Sequence, residues 1–476
     1  MRTVVRRPSS AGSRAAEARA ARRAARAATR PRPRPRGNSG SGGGRNTSSA
    51  IWALTSPWER KQPGELAPAG KFWLELPEPV RYAPLVFVQL GFLPFLFSYA
   101  FLPGVVRAGF DLPALLATVT AWAWAKVSSL GAPAFLGRLG SLACRALELP
   151  AGSPTDVMWG RILHTTLPLM PVLYFFAVVP ALDLFIGRDG NKDKAGNGKP
   201  TTSRRGHSEF RVVLWASAII YITMLPLSCA AAAAQPLLAT ITIGVGLGMY
   251  GASQFAVAHE LLHSPLPKDR SLSWLLLVYL FYPHYERSHR LIHHVRVGTP
   301  EDPSTARRGQ GFYNFFVRSV VENWTEMQKI EERALVRASW IAGPSLLGLS
   351  LLAALGPKAL GVYLLASFVS VLSLELVNYI EHYGLLRKKV NGKYEQVGKA
   401  HSWNADFFWT NMHIINLQLH GDHHLHALKP YQRLENFEDG PQLPAPYPVM
   451  MLLALVPALW FRVMDARLDR LEAGTS

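Results

Sequence analysis

Several stretches of about 20 residues carry almost no charge, and that is the length a helix needs to cross a bilayer core of about 30 Å. They are Ala83 to Pro103, His164 to Leu182, Val212 to Ala232, Leu237 to Ala258, Ala338 to Leu355 and Leu360 to Val377. Every backbone polar group of a chain that spans lipid must be satisfied internally, so runs of this length are read as helices. Two further apolar runs, Trp274 to Tyr282 and Val449 to Trp460, are too short to span and read as re-entrant or interfacial. The very short turns at Gln235-Pro236 and Gly356-Pro357-Lys358 pair four of the runs into two hairpins. The expectation is an all-α, polytopic integral membrane protein with about six transmembrane helices.

The formal charge of +19 suggests nucleic acid until it is located. Residues 1–50 hold thirteen Arg and one Glu, and most of the remaining excess lies beside the apolar runs, where Lys and Arg mark the cytoplasmic side. Nucleic acid is therefore not the expected partner. Residues 1–50 cannot bury enough surface to fold alone; they read as a disordered tail or, being rich in Arg and Ser and poor in acids, as an organelle transit peptide. The first reading leaves the chain in a plasma or endoplasmic-reticulum membrane, the second in an organelle membrane. Residues 51–159 include the first span but otherwise mix short apolar pieces with charge. Residues 160–468 read as one membrane domain. The two cysteines, Cys144 and Cys229, lack the paired spacing of a zinc ribbon or an iron-sulfur carrier.

Nine of the 15 histidines fall into four groups between residues 259 and 424: His259 and His263; His289, His293 and His294; His382; and His420, His423 and His424. Side chains four apart on a helix share a face, so His259 with His263, His289 with His293, and His420 with His424 can each reach a common ion. His294 and His423 are then placed to reach a second. The span ending at Ala258 delivers the first group to one face, and the short Trp274 segment returns to that face with the second. Two more crossings bring Glu381-His382 back to it. Arg287, Arg290, Arg296, Arg307 and Arg308 lie there too, which makes it the cytosolic face or its organelle equivalent.

His-Glu-x-x-His with Glu260 also matches the zinc-protease signature. A catalytic zinc needs only three protein ligands, however, and nine imidazoles imply two ions. Without thiolate, imidazole suits iron, copper, nickel or zinc, and a redox-active iron pair best explains such a site beside apolar spans. Nearby acids are candidates to orient the ligand rings through their other ring nitrogen; these are Glu260, Glu286, Asp302, Glu375, Glu381 and Asp422. His284, His413 and His426 lie close but off the shared spacing, and His164, His207 and His401 have less to connect them with the site.

The histidine groups occur together with His284-Tyr-Glu, Thr299-Pro-Glu-Asp-Pro-Ser304, Asn378-Tyr-Ile-Glu-His-Tyr-Gly-Leu385, His401-Ser-Trp-Asn404, Leu417-Gln-Leu-His420 and Pro441-Gln-Leu-Pro444. In these segments the chain resembles the integral-membrane alkane 1-monooxygenases, within the membrane fatty-acid desaturase and hydroxylase superfamily, over roughly residues 160–468. The resemblance implies six transmembrane helices whose cytosolic ends hold two non-haem irons through His259, His263, His289, His293, His294, His382, His420, His423 and His424. It departs from the family pattern at Ser288, Ile292, Leu419 and Gly421, where Glu, Gly, Arg and Ser are usual.

The activity so implied is O2-dependent hydroxylation of the terminal methyl of medium- or long-chain alkanes to 1-alkanols. An alkane has no polar handle, so channel shape must select the reacting carbon; Phe92, Phe95, Phe97, Trp215, Tyr221 and Tyr250 are aromatic candidates for its wall. The chain has no flavin or nicotinamide fingerprint and no cysteine cluster. Electrons must therefore come from outside; the resemblance implies a rubredoxin- or ferredoxin-type donor with its reductase, and Arg287, Arg290, Arg307 and Arg308 form a candidate patch for an acidic carrier. Two alternatives stay open. A membrane fatty-acid desaturase or acyl-lipid hydroxylase would use the same irons. A metal-handling or transport protein fits less well, because the histidines sit at helix ends and transporters place ion sites near mid-membrane.

Overall fold

The architecture is that of a computed structural model, which describes residues 78–86, 89, 166–189 and 204–474. The tail 1–50 and most of 51–159, including Leu112 to Val127 and nearly all of the expected span Ala83 to Pro103, lie outside the described residues, as does His164. What is described of that region is one helical turn at Glu78–Arg81 and its continuation. Tyr82 packs edge-on to Tyr431 there, and Gln89 donates to Ser217.

Five described helices are long and apolar enough to cross a membrane. The first, α1, runs Leu167–Ile186 and changes character along its length, because Pro168 and Pro171 remove backbone donors and a π-turn follows at Tyr174–Val178. Helices α2 (Arg204–Ala233) and α3 (Leu237–His263) form one expected hairpin around Gln235-Pro236. The short apolar run after them is α4 (Pro267–Tyr279), and α5 occupies residues 285–296. An amphipathic α6 (Phe312–Ile330) leads to the second hairpin, α7 (Ala334–Leu355) and α8 (Pro357–His382). Gly356, at φ +86°, makes the turn between them.

Beyond α8, a two-residue hairpin of strands (β1 Lys389–Val390, β2 Lys393–Tyr394) precedes short helices α9 (Phe408–His413) and α10 (His420–Leu425). The run expected at Val449 to Trp460 is two helices, α11 (Tyr447–Ala454) and α12 (Pro457–Glu472), bent by 120°. Pro457 starts the second, since proline suits a first helical turn and cannot continue the previous one. Counted as one broken span, the pair brings the described total to six. The chain is a multi-pass membrane protein.

The centre of the fold is the contact of α3 with α8. A Cβ on Gly248 would lie 2.6 Å from Val369 Cβ and 2.7 Å from the Ala366 carbonyl oxygen, and one on Gly251 would lie 2.1 Å from Ser370 Oγ. Only glycine lets the two backbones come this close, and Ser370 Oγ uses the approach to donate to the Gly248 carbonyl at 2.9 Å. Lipid offers no hydrophobic drive between helices, so close van der Waals packing and such bonds carry the association. Both helices end in histidines, His263 and His382, and both deliver them to the same end of the bundle.

Candidate metal centre

The apolar pattern breaks at Ala258 and Val377, yet α3 continues to His263 and α8 to His382. The polar last turns are retained because their side chains converge. Nine imidazoles form two groups, in each of which one nitrogen per ring lies within 4.8 Å of all the others: His259, His263, His289, His294 and His423, then His293, His382, His420 and His424. They are the nine singled out in the sequence.

Helical spacing alone assigns them wrongly in one place. His289 and His293 are four apart, which in an α-helix puts them on one face. Residues His289–His293 form a π-turn instead, in which backbone bonds run from i to i+5. His289 therefore aligns with His294, their Nε2 atoms 3.0 Å apart, and His293 turns away to face His424 Nε2 at 3.1 Å. One extra residue in one turn changes which of the adjacent His293 and His294 joins His289. In α10 the α-helical spacing holds: His420 and His424 face each other at 3.0 Å, and His423 reaches His294 at 3.1 Å.

The protein alone leaves this arrangement unsatisfied. His424 Nε2 faces two other Nε2 atoms and can bond with one proton at most, while Nε2 of His259, His263 and His382 is buried with no partner among the described residues. An ion with metal–nitrogen bonds of about 2.0–2.1 Å holds two imidazole nitrogens about 3 Å apart at a right angle, which is the spacing found. Burial, followed by the neighbouring histidines, holds His289, His420, His423 and His424 well below the ordinary imidazole pKa and His294 down to about 2. The rings are thus neutral, the form that ligates. The residues fit a two-ion, all-imidazole site.

Two ring orientations are fixed from behind. His293 Nδ1 lies 2.9 Å from Asp302 Oδ2, and Asp302 also accepts from Thr305 Oγ1 at 2.7 Å and from the Ser304 amide at 3.2 Å. His382 Nδ1 faces the His401 carbonyl at 3.4 Å. Of the other acids, only Glu381 touches a clustered ring, and it does so on the inward side: its Oε2 is 3.2 Å from His420 Nε2, with Tyr447 donating to Oε1. The remaining four act elsewhere. Glu260 accepts from the Tyr431 amide, Glu286 pairs with Arg290, Glu375 accepts from Tyr282, Ser319 and Asn378, and Asp422 holds His426 and Lys429. His284, His401, His413 and His426 stay outside both groups, and the His207 side chain is not among the described ones.

The departures from the family pattern are packing positions. Ile292 and Leu419 are fully buried, and Ser288 is buried too. Gly421 donates its amide to Asn404 Oδ1 at 2.7 Å, and a Cβ there would sit 3.0 Å from that amide group. Asn404 and Tyr447 are contacts the spacing argument missed. Asn404 belongs to the quoted His401-Ser-Trp-Asn404 segment, whereas nothing in the sequence singles out Tyr447.

A narrow slot of about 40 Å³ ends on His259 and His289 of one group and His420 of the other. Phe175, Phe255, Leu374 and Met451 line it, with Ser253, whose Oγ is 3.2 Å from His413 Nε2. Trp215, Tyr221 and Tyr250 do not, and Phe92, Phe95 and Phe97 lie outside the described residues. The expected arginine patch is of mixed sign: Arg287 pairs with Glu331, Arg290 with Glu286, and Arg308 with Asp469 and Glu472.

Residues 234–453 match the fatty acid desaturase family. Alkane 1-monooxygenase 2 of Pseudomonas aeruginosa is 32% identical over 347 residues, which cover 68% of this chain and 90% of that protein. The chain belongs to the alkane 1-monooxygenase family. Alkane 1-monooxygenase 1 of the same organism is 34% identical over 64% of this chain and 83% of its own length. The xylene/toluene monooxygenase hydroxylase component of Pseudomonas putida is more distant, at 29% over 45% and 60%. As a member of the alkane 1-monooxygenase family the chain is an oxidoreductase, and its two histidine groups are the family's candidate metal site.

Proposed function

We propose that this protein hydroxylates the terminal methyl of medium- or long-chain alkanes to 1-alkanols, with O2 as co-substrate and two irons held by the nine grouped histidines, within a catalytic membrane domain spanning residues 160–468. The observation that carries the reading is the slot whose apolar walls end on imidazoles of both groups. Two irons, when bound, supply the activation of O2 and the removal of a hydrogen atom from the terminal methyl.

The chain's own residues do the rest. Phe175, Phe255, Leu374 and Met451 admit a narrow hydrocarbon end and exclude water. Asp302 and the His401 carbonyl hold the rings of His293 and His382 with Nε2 turned inward. No Lys or Arg lines the slot, so an anionic head group such as a carboxylate would find no counter-charge there, which favours an alkane over a free fatty acid. Electrons come from an external rubredoxin- or ferredoxin-type carrier with its reductase, on the cytosolic side where the histidine groups lie. With three of the four expected docking arginines already paired, net positive charge contributes little to that encounter.

The test is iron analysis of the purified protein together with a reconstituted assay on medium-chain alkanes and acyl lipids. About two irons per chain and a terminal alcohol product support the proposal. An alkene product would make the protein a desaturase, and absence of iron would overturn the metal assignment.

A further inference from the structure

A second and larger cavity, of about 500 Å³, lies between the end of α4 and helices α6, α7 and α8, away from the histidine groups. That volume falls in the range of small-molecule sites, which are mostly apolar and aromatic with a few placed polar groups. Its walls include Trp324, Trp340, Phe316 and Phe368, and it opens toward the lipid, since Phe281, Ile341, Leu364 and Phe368 are all exposed.

Three observations set it apart from a crevice between helices. His284 and Ser367 line it, both more than nine-tenths buried, and neither His284 Nε2 nor Ser367 Oγ has a hydrogen-bond partner among the described residues. A polar atom left unpaired away from water is costly, more so at membrane depth. Phe281, at the cavity rim, has φ +59°, an outlier for a bulky aromatic. Strain of this kind persists where the surroundings fix it, and it clusters at ligand clamps. The Val278 and Leu277 carbonyls fix it here, accepting from the Phe281 and Tyr282 amides.

The lining also specifies the ligand. No Lys, Arg, Asp or Glu is among the lining residues, so neither a carboxylate nor an ammonium head would find a counter-charge. Burial pushes the His284 imidazole down to about 3, so it is neutral, and its Nε2 either donates or accepts according to tautomer. A hydroxyl both donates and accepts, and it satisfies Nε2 in either state as well as the serine hydroxyl. We propose that this cavity binds a neutral lipid alcohol, an apolar body carrying one uncharged hydroxyl, with His284 and Ser367 holding the hydroxyl and Trp324 and Trp340 flanking the body. The site does not depend on the proposed reaction, although a long-chain 1-alkanol, that reaction's product, and a sterol both belong to the class.

The experiment is photolabelling of the intact purified protein, without turnover, by a long-chain 1-alkanol bearing a diazirine, with labelled peptides mapped by mass spectrometry. Labelling is expected on α6, α7 and α8 at the cavity walls. Unlabelled 1-alkanol or sterol should compete about tenfold better than the n-alkane or fatty-acid anion of equal length, the worth of about one hydrogen bond; the stronger of the two alcohols identifies the body. Ser345→Trp, which obstructs the cavity, should remove the label, and Ser367→Val should reduce the preference for alcohol over alkane. Should Ser345→Trp not fold, Ser367→Val decides alone. Equal competition by alkane and alcohol, or an alcohol preference unchanged in Ser367→Val, would overturn the proposal.

Discussion

Asp302→Asn should weaken one ion site and spare the other. Asp302 accepts three bonds, from His293 Nδ1 and Thr305 Oγ1 on Oδ2 and from the Ser304 amide on Oδ1. Asparagine has the same shape but only one acceptor oxygen. Turned one way, its NH2 faces the Ser304 N–H; turned the other, it faces the His293 ring and Thr305. In the first case His293 keeps a weaker acceptor, and in the second its proton is driven toward Nε2, the nitrogen that joins the group. Groups that orient a ligating histidine contribute about 10–100-fold in metal affinity, or about 1.4–2.7 kcal/mol. The ion held by His293, His382, His420 and His424 should feel it, because Asp302 bonds His293 and the other five imidazoles belong to the second group. Stepwise chelator competition, read by metal content, should show one ion released 10–100 times more readily and the other unchanged. Equal weakening of both ions, or of neither, would refute the assignment of Asp302 to one group.

Three further outcomes follow from the same geometry. Gly248→Ala should lower the unfolding temperature in detergent by an amount corresponding to about 1–3 kcal/mol of overpacking, whereas Gly244→Ala, whose Cβ comes nearest to the Leu365 side chain, at 2.9 Å from its Cδ2, and not to backbone, should be milder; equal effects would contradict the close approach at Gly248. Asp183→Ala should destabilise by about 3 kcal/mol or more, because Asp183 accepts from the Trp409 and Thr410 amides and from Thr410 Oγ1, and each buried donor left unpaired costs about 1–3 kcal/mol; limited proteolysis should then cut near α9 first. Metal-free protein should lose stability as pH falls below about 6.5. His284, His413 and the grouped histidines with lowered values bind protons more readily unfolded than folded, so each contributes about 1.4 kcal/mol of loss per pH unit until its own folded value is reached. Chemical unfolding at pH 7.5 and 5.5 checks it, and a flat profile would mean the rings are not buried neutral.

The spans and the site were legible in the sequence to different depths, for physical reasons. Apolar length announced α3 and α8, but it placed their ends at Ala258 and Val377, one turn early or more, since hydropathy cannot distinguish a polar turn in water from one buried around a metal site. In sequence the run Val449 to Trp460 reads as one short element, since apolar length alone does not show that Pro457 starts a new helix. The nine histidines were visible by count and spacing. The orienting acids were not, because six carboxylates lie near the histidine groups in sequence and only Asp302 and Glu381 contact a grouped ring in space.

The π-turn in α5 carries the least legible step and the most consequential one. Nine imidazoles on regular α-helices would sort by faces, and His293 would follow His289. With the i to i+5 turn at His289–His293, His289 and His294 close on one group while His293, between them in sequence, crosses to the other. The same short segment thus supplies both groups, as α10 does through the neighbouring His423 and His424. Ile292 sits in that turn fully buried against Met327 and Trp340, and Arg287 anchors the preceding turn to Glu331. The irregular turn is therefore braced from outside by α6 and α7, whose remaining surfaces wall the cavity at His284. A ligand held there would bear on the brace, and through it on one of the two segments, α5 and α10, that both histidine groups share.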